Sequence, residues 1–125
     1  MSFKTKNMRE SFHYAVSGLA DAWRSERNMR IHFAATVLSV VAGVWLRLDR
    51  VEWLFLFSAV FLVTTMEMLN TALERVVDLF TREYHPLARL AKNAAAGAAL
   101  LAALYAVTVA LLVFVPRLLE RINFF

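Results

Sequence analysis

Cysteine is absent from this chain, and glycine and proline are scarce, with three glycines and two prolines in 125 residues. The lack of cysteine excludes a disulfide framework, thiol chemistry and cysteine-ligated zinc. Gly18, Gly43 and Gly97 lie too far apart to build a GxxxxGKS/T or GxGxxG loop, so no glycine-rich turn can cradle phosphate through its backbone N–H groups. No paired histidines stand at a zinc-binding spacing, and Ser17, Ser25 and Ser39 lack convincing histidine and acid partners for a serine triad. Residues 1–28 contain no short apolar core of the signal-peptide type, so no cleavage is expected.

Hydrocarbon is what the chain has in excess. Apolar residues make up 60% of the sequence and the mean hydropathy is +0.54. A soluble domain of this size has no interior large enough to hide so much apolar surface. One domain, residues 1–125, facing lipid is therefore expected. The net charge of +4 and pI near 10 would also suit nucleic acid. However, the basic residues flank apolar segments and form no stripe, which fits anionic lipid headgroups and argues against a nucleic-acid partner.

Three apolar stretches stand out: residues 31–46, interrupted only by His32; residues 53–66, uncharged up to Glu67; and residues 94–115, which carry no charge. A span needs roughly 20 apolar residues, so the third qualifies outright and the first two qualify with their polar flanks. Spans are expected at about 29–47, 51–80 and 88–116 by the same length criterion. Arg47-Leu48-Asp49-Arg50 reads as a short polar turn joining the first two, and Pro86 stops one helix or starts the next. Residues 8–23 differ, because at 100° per residue Met8, Phe12, Ala15, Val16, Leu19 and Trp23 fall opposite Glu10, Ser17, Asp21 and Arg24. That pattern predicts an amphipathic helix over about 5–26 lying in the membrane interface, the alternative being a helix packed on a partner. Lys4, Lys6, Arg9, Arg24, Arg27, Arg30, Arg75, Arg82, Arg89 and Lys92 gather on one side, against Arg47, Arg50, Arg117 and Arg121 on the other. This asymmetry predicts a cytoplasmic N-terminus and second loop, with the C-terminus outside. Trp23, Trp45 and Trp53 read as interfacial anchors, and Arg117, Glu120 and Arg121 as a solvated exterior tail.

The informative stretch runs from Glu67 to Asp78. With Glu67 at zero on a helix, Asn70 falls near −60°, Glu74 near −20° and Asp78 near +20°, so all four share one face. The opposite face is in the main Met68, Leu69, Ala72, Leu73 and Val76. Placing an acid such as Glu67 at the hydrocarbon boundary costs up to about 2.5–3.5 kcal/mol, which calls for a function or a partner. A structural pairing with Arg or Lys of another helix is one reading. The other is chemical: carboxylates one or two turns apart beside an amide suit Mg²⁺, particularly when phosphate oxygens complete its shell. Glu67, set deeper, could then accept a proton from a hydroxyl presented by the bilayer. Glu26 to Arg30 and Glu83 to Asn93 add anions and cations at the same level, as a nucleotide and a divalent cation would require. No span carries charges through its middle, which argues against a channel or proton relay. His32 reads as a polar interfacial or helix-contact residue rather than a catalyst.

The run Glu67-Met68-Leu69-Asn70-Thr71-Ala72-Leu73-Glu74 with Asp78, then His85-Pro86-Leu87-Ala88 and Ala91-Lys92-Asn93-Ala94-Ala95-Ala96-Gly97-Ala98, resembles the bacterial diacylglycerol kinase/undecaprenol kinase family. Glu26-Arg27-Asn28-Met29-Arg30-Ile31-His32 is similar to the branch acting on undecaprenol. The resemblance covers residues 11–118. It implies an all-α membrane protein, a homotrimer of three-span subunits with a surface helix, and active sites at subunit boundaries on the cytoplasmic side of the plasma (inner) membrane. The implied chemistry is transfer of the γ-phosphate of ATP to a lipid alcohol with Mg²⁺. Undecaprenol is the expected acceptor and diacylglycerol the alternative; a non-enzymatic membrane scaffold is the alternative of another class. By the same resemblance Glu67 is the base and Glu26 and Glu74 hold the metal and nucleotide. Asn70 positions substrate or nucleotide, Glu83, Tyr84, His85, Lys92 and Asn93 contact nucleotide, and Tyr14 lies over it. Two departures stand out. Asn93 replaces the usual Asp after the lysine, keeping size and losing charge. The N-terminal Arg of some members has Asn7 in register, with Arg9 nearby.

Overall fold

A computed structural model describes residues 7–123, so Lys4, Lys6, Phe124, Phe125 and the expected start of the surface helix lie outside the described residues. Four helices follow in order: α1 (Met8–Ser25), α2 (Arg27–Trp45), α3 (Arg50–Phe80) and α4 (Pro86–Asn123).

Local chemistry accounts for most of these boundaries. Asn7 opens α1 by accepting the Glu10 N–H at 3.0 Å, satisfying one of the donors a helix start leaves free. At Glu26 the backbone turns extended, which breaks the chain into α1 and α2. Arg30 then folds back and donates to the carbonyls of Trp23 (2.8 Å) and Arg24 (3.1 Å), setting positive charge at the carboxyl end of α1. Arg75 of α3 reaches the same joint, donating to Ser25 Oγ at 2.9 Å. The apolar side of α1 stays open: Met8, Phe12, Val16, Leu19 and Trp23 are exposed.

α2 ends in a Schellman motif, with Leu48 N–H donating to Gly43 O and Arg47 N–H to Val44 O. The motif forces Arg47 to φ 57°, the left-handed region usually left to glycine. Asp49 and Glu52 then form a capping box at the start of α3. The sequence reading of this turn as polar is incomplete, because Leu46 and Leu48 are buried in the main apolar cluster with Leu56, Ala59, Val109 and Val113.

α3 and α4 pack antiparallel, tied by Ser58 Oγ to Tyr105 OH at 3.0 Å near one end and by Lys92 Nζ to Asp78 at 2.7 Å near the other. Pro86 starts α4, with His85 Nδ1 accepting the Leu87 N–H at 3.1 Å. The helix runs through Pro116 rather than stopping there. The residues expected to form a solvated tail explain why. Arg117 grips Glu52, with Nε 3.0 and 3.1 Å from the carboxylate oxygens and Nη2 closer still, and it also meets Asp49 at 3.4 Å. Glu120 lies 3.9 Å from Arg117, and Arg121 sits 4.4 Å above the Trp45 ring. Trp53 is likewise more than an interfacial anchor, since it stacks on Phe57 and packs against the core.

Among the described residues α3 and α4 are long and apolar enough to cross a membrane, whereas α2, which opens with Arg27, Arg30 and His32, is not among them. Surface area points the same way. The chain exposes 9866 Å², against roughly 6800 Å² for a closed soluble monomer of its mass. Phe61, Leu101 and Leu112 on these two helices are each about 70% exposed, and so much open hydrocarbon requires lipid or a neighbouring subunit.

The turn gives a test. A Cβ on Gly43 would lie 2.7 Å from the Trp53 ring and 3.0 Å from Leu48 Cδ1. Gly43→Val is therefore expected to lower the thermal midpoint in detergent micelles, at a cost of about 1–3 kcal/mol from overpacking. Arg47→Gly should shift it the other way, by about 1 kcal/mol, as left-handed strain is relieved. An unmoved midpoint in both variants would mean that the turn does not fix the hairpin.

Candidate active site

The α3 face carrying Glu67, Asn70, Glu74 and Asp78 extends over about 16 Å of helix. Its members are divided among different neighbours. Glu67, the deepest, has a side chain only 12% exposed and meets His32 of α2, with Oε1 3.3 Å from Nε2. One turn on, Asn70 Nδ2 donates to Glu74 Oε1 at 3.3 Å, which orients both side chains along the helix. Asp78, nearest the α3–α4 loop, is bonded to Lys92 at 2.7 Å. Arg75 projects off this face and serves the α1–α2 joint.

The loop between α3 and α4 adds a second feature. Thr81 closes α3 and its hydroxyl accepts the Glu83 N–H at 3.1 Å, turning the chain back toward α4. The turn leaves a recess of about 250 Å³ lined by Arg82, Glu83, Tyr84, His85, Arg89, Lys92 and Asn93 among others. Four cationic or imidazole groups against one acid make this recess suited to an anion. Lys92 belongs both to the recess and to the Asp78 pair, so it links the loop to the α3 face.

The remaining candidates lie apart. Tyr14 shares a separate recess on α1 with Asn7, Arg9, Glu10 and His13. Glu26 stands half-buried at the α1–α2 joint. Among the described residues no three His, Cys, Asp or Glu side chains cluster closely enough to hold a metal within one chain. Glu26, Glu67 and Glu74 therefore do not form a three-acid cage. Mg²⁺ does not need one, because it is held by one or two carboxylates together with phosphates and water. The donors on α3 are hard oxygens of that kind, and Asn70 Oδ1 is buried without a hydrogen-bond partner. The set thus fits a magnesium-bound polyphosphate.

Several contacts escaped the sequence reading, the Asp78–Lys92 pair among them. The His32–Glu67 pair joins residues 35 apart, and the only signal for it was that both interrupt apolar runs at the same membrane level. The Arg75–Ser25 bond spans 50 residues and had no signal at all.

Comparison with known proteins supplies the identity. Residues 13–114 match the family model described as prokaryotic diacylglycerol kinase. The undecaprenol kinase of Bacillus subtilis (strain 168) is 39% identical over 109 residues, covering 87% of this chain and 89% of the relative. A diacylglycerol kinase of Synechocystis sp. is 44% identical over 115 residues, covering 91% of this chain and 66% of the relative. The diacylglycerol kinase of Escherichia coli (strain K12) is 40% identical over 94 residues, covering 75% and 77%. A non-enzymatic scaffold is set aside by these relationships. With its acid-and-amide face on α3 and its cationic loop recess, this chain belongs to the prokaryotic diacylglycerol kinase family of lipid-phosphorylating enzymes.

Proposed function

We propose that this chain transfers the γ-phosphate of ATP to the hydroxyl of undecaprenol, yielding undecaprenyl phosphate and ADP. The observation that carries this reading is the α3 face, where a nearly enclosed carboxylate, Glu67, stands one to two turns from Asn70 and Glu74. The choice of acceptor is supported by the Bacillus subtilis relative, named undecaprenol kinase, which this chain matches over 89% of its length. Diacylglycerol is the second reading, supported by the Synechocystis relative at 44% identity.

In the transfer, the lipid hydroxyl loses its proton to the Glu67 carboxylate as its oxygen bonds to the γ-phosphorus. The bond from that phosphorus to the β–γ bridging oxygen breaks, and ADP departs with the electron pair. Glu26 and Glu74 would hold Mg²⁺, which when bound neutralises charge on the β- and γ-phosphates. Asn70, already oriented on Glu74, lends its buried Oδ1 and its amide to positioning. Lys92 and the recess residues Glu83, Tyr84, His85 and Asn93 receive the nucleotide, with Tyr14 from α1 over it. Most of the rate comes from holding a water-soluble phosphate donor beside a lipid hydroxyl and from fixed charges around the transferred group.

The same reading makes α2 a third span, since its 19 residues rise about 28 Å, close to the thickness of the hydrocarbon core. It places the loop recess and N-terminus in the cytoplasm and the C-terminus outside the plasma (inner) membrane, in line with the excess of Lys and Arg on the former side. It also makes the chain a homotrimer whose sites are completed at subunit boundaries, supported by the surface left open in a single chain.

Three measurements test the proposal. Glu67→Gln is expected to lower ATP-dependent lipid phosphorylation in micelles about 100-fold or more, with the KM for ATP little changed. Full activity in that variant would remove Glu67 as the base. Glu74→Ala should raise the half-saturating Mg²⁺ concentration about tenfold, or roughly 1.4 kcal/mol of binding; an unaltered titration would take Glu74 out of the metal site. With labelled ATP, purified protein should phosphorylate undecaprenol in preference to diacylglycerol, and the reverse preference would establish the second reading.

A further inference from the structure

His32 lies outside the residues given a role above, yet it holds the side-chain contact that Glu67 makes. The antiparallel packing of α3 and α4, bracketed by Ser58–Tyr105 and Asp78–Lys92, sets Glu67 opposite α4 somewhere within residues 96–103. That part of α4 carries no charge. On its own helix Glu67 is followed by Asn70 and Glu74, which bond each other. Arg30, the nearest cation on α2, is committed to the carbonyls of Trp23 and Arg24, and Arg75 to Ser25. Among the described residues, no Lys or Arg side chain comes within salt-bridge distance of Glu67; its partner is the imidazole.

The surroundings of His32 are largely apolar. Thr36, one turn along α2, donates its hydroxyl to the His32 carbonyl at 2.8 Å, and His32 borders a mostly apolar cavity of about 90 Å³ between α2, α3 and α4. The imidazole therefore borders this cavity and meets the acid. We propose that His32 is a positioning residue for the reaction: its Nε2–H donates to Glu67 Oε1, fixes the carboxylate rotamer across the α2–α3 contact, and leaves Oε2 to accept the proton of the lipid hydroxyl. This rests on the reading of Glu67 as the base. A carboxylate without the imidazole keeps its chemistry but loses its aim, and misplacement by about 1 Å costs up to about 100-fold in rate.

The test uses full-length protein in micelles or bilayers, with wild type, His32→Leu, His32→Gln, Glu67→Gln and the double variant His32→Leu/Glu67→Gln. Glutamine reaches about as far as Nε2 and retains an N–H donor. His32→Leu is expected to lower kcat about 10- to 100-fold, the range expected for a mis-set reacting group, with the KM for ATP within about twofold. His32→Gln should recover most of that loss. Adding His32→Leu to Glu67→Gln should cost little further, because the two act as one unit. Wild-type kcat in His32→Leu, an equal defect in His32→Gln, or multiplicative losses in the double variant would each overturn the proposal. Thermal midpoints separate a folding defect from a positioning one, since His32→Gln should match the midpoint of wild type and recover most of its activity. If wild type phosphorylates lipid and Glu67→Gln does too, the base assignment fails first; if only the His32 variants behave as wild type, the failure belongs to His32 alone.

Discussion

An acid enclosed among apolar helices needs a partner, because a bare carboxylate there is too poorly solvated to keep its charge at low cost. That constraint organises the working end of this chain. Glu67 sits deepest on the α3 face, where α4 passes with uncharged residues and the nearby arginines are bonded elsewhere. Imidazole from α2 meets the need without the full neutralisation a guanidinium would bring. The polar groups above Glu67 grade outward from the Asn70–Glu74 pair to the Asp78–Lys92 bridge and the cationic loop recess. Under the proposed function, the lipid hydroxyl and the nucleotide would meet along this single helix.

The other end of the molecule is built for fixity. Gly43 admits the Trp53 ring, Arg47 takes the left-handed turn, Asp49 and Glu52 cap α3, and Arg117 reaches back from α4 to the same two acids. The apolar cluster of Leu46, Leu48, Leu56, Ala59, Val109 and Val113 lies beneath this clamp. The recess lined by Lys92 lies at the other end of α3, beside the α3–α4 loop.

Much of this was legible in the residues. The apolar stretches, the moment of α1 and the shared face of Glu67, Asn70, Glu74 and Asp78 follow from helical periodicity alone, because backbone geometry fixes which side chains lie side by side within one element. The run from Glu67 to Glu74 also carries the family resemblance that the match over residues 13–114 establishes. Misreadings came where a residue's environment depends on a distant segment. Arg117 looked like a solvated charge because Glu52, its partner, lies 65 residues earlier in the chain. Leu48 looked like part of a polar turn because the α4 residues it packs beside are equally remote.

The sequence by itself determined that the chain is helical and lipid-facing, and that its acids share one side of α3, since hydropathy and the 3.6-residue period are local properties. Only the tertiary structure decided which partner each acid takes: His32 for Glu67, Lys92 for Asp78 and Arg117 for Glu52. Such pairings depend on how helices dock and in which register, and those are set by packing of side chains far apart in the chain, which no local pattern records.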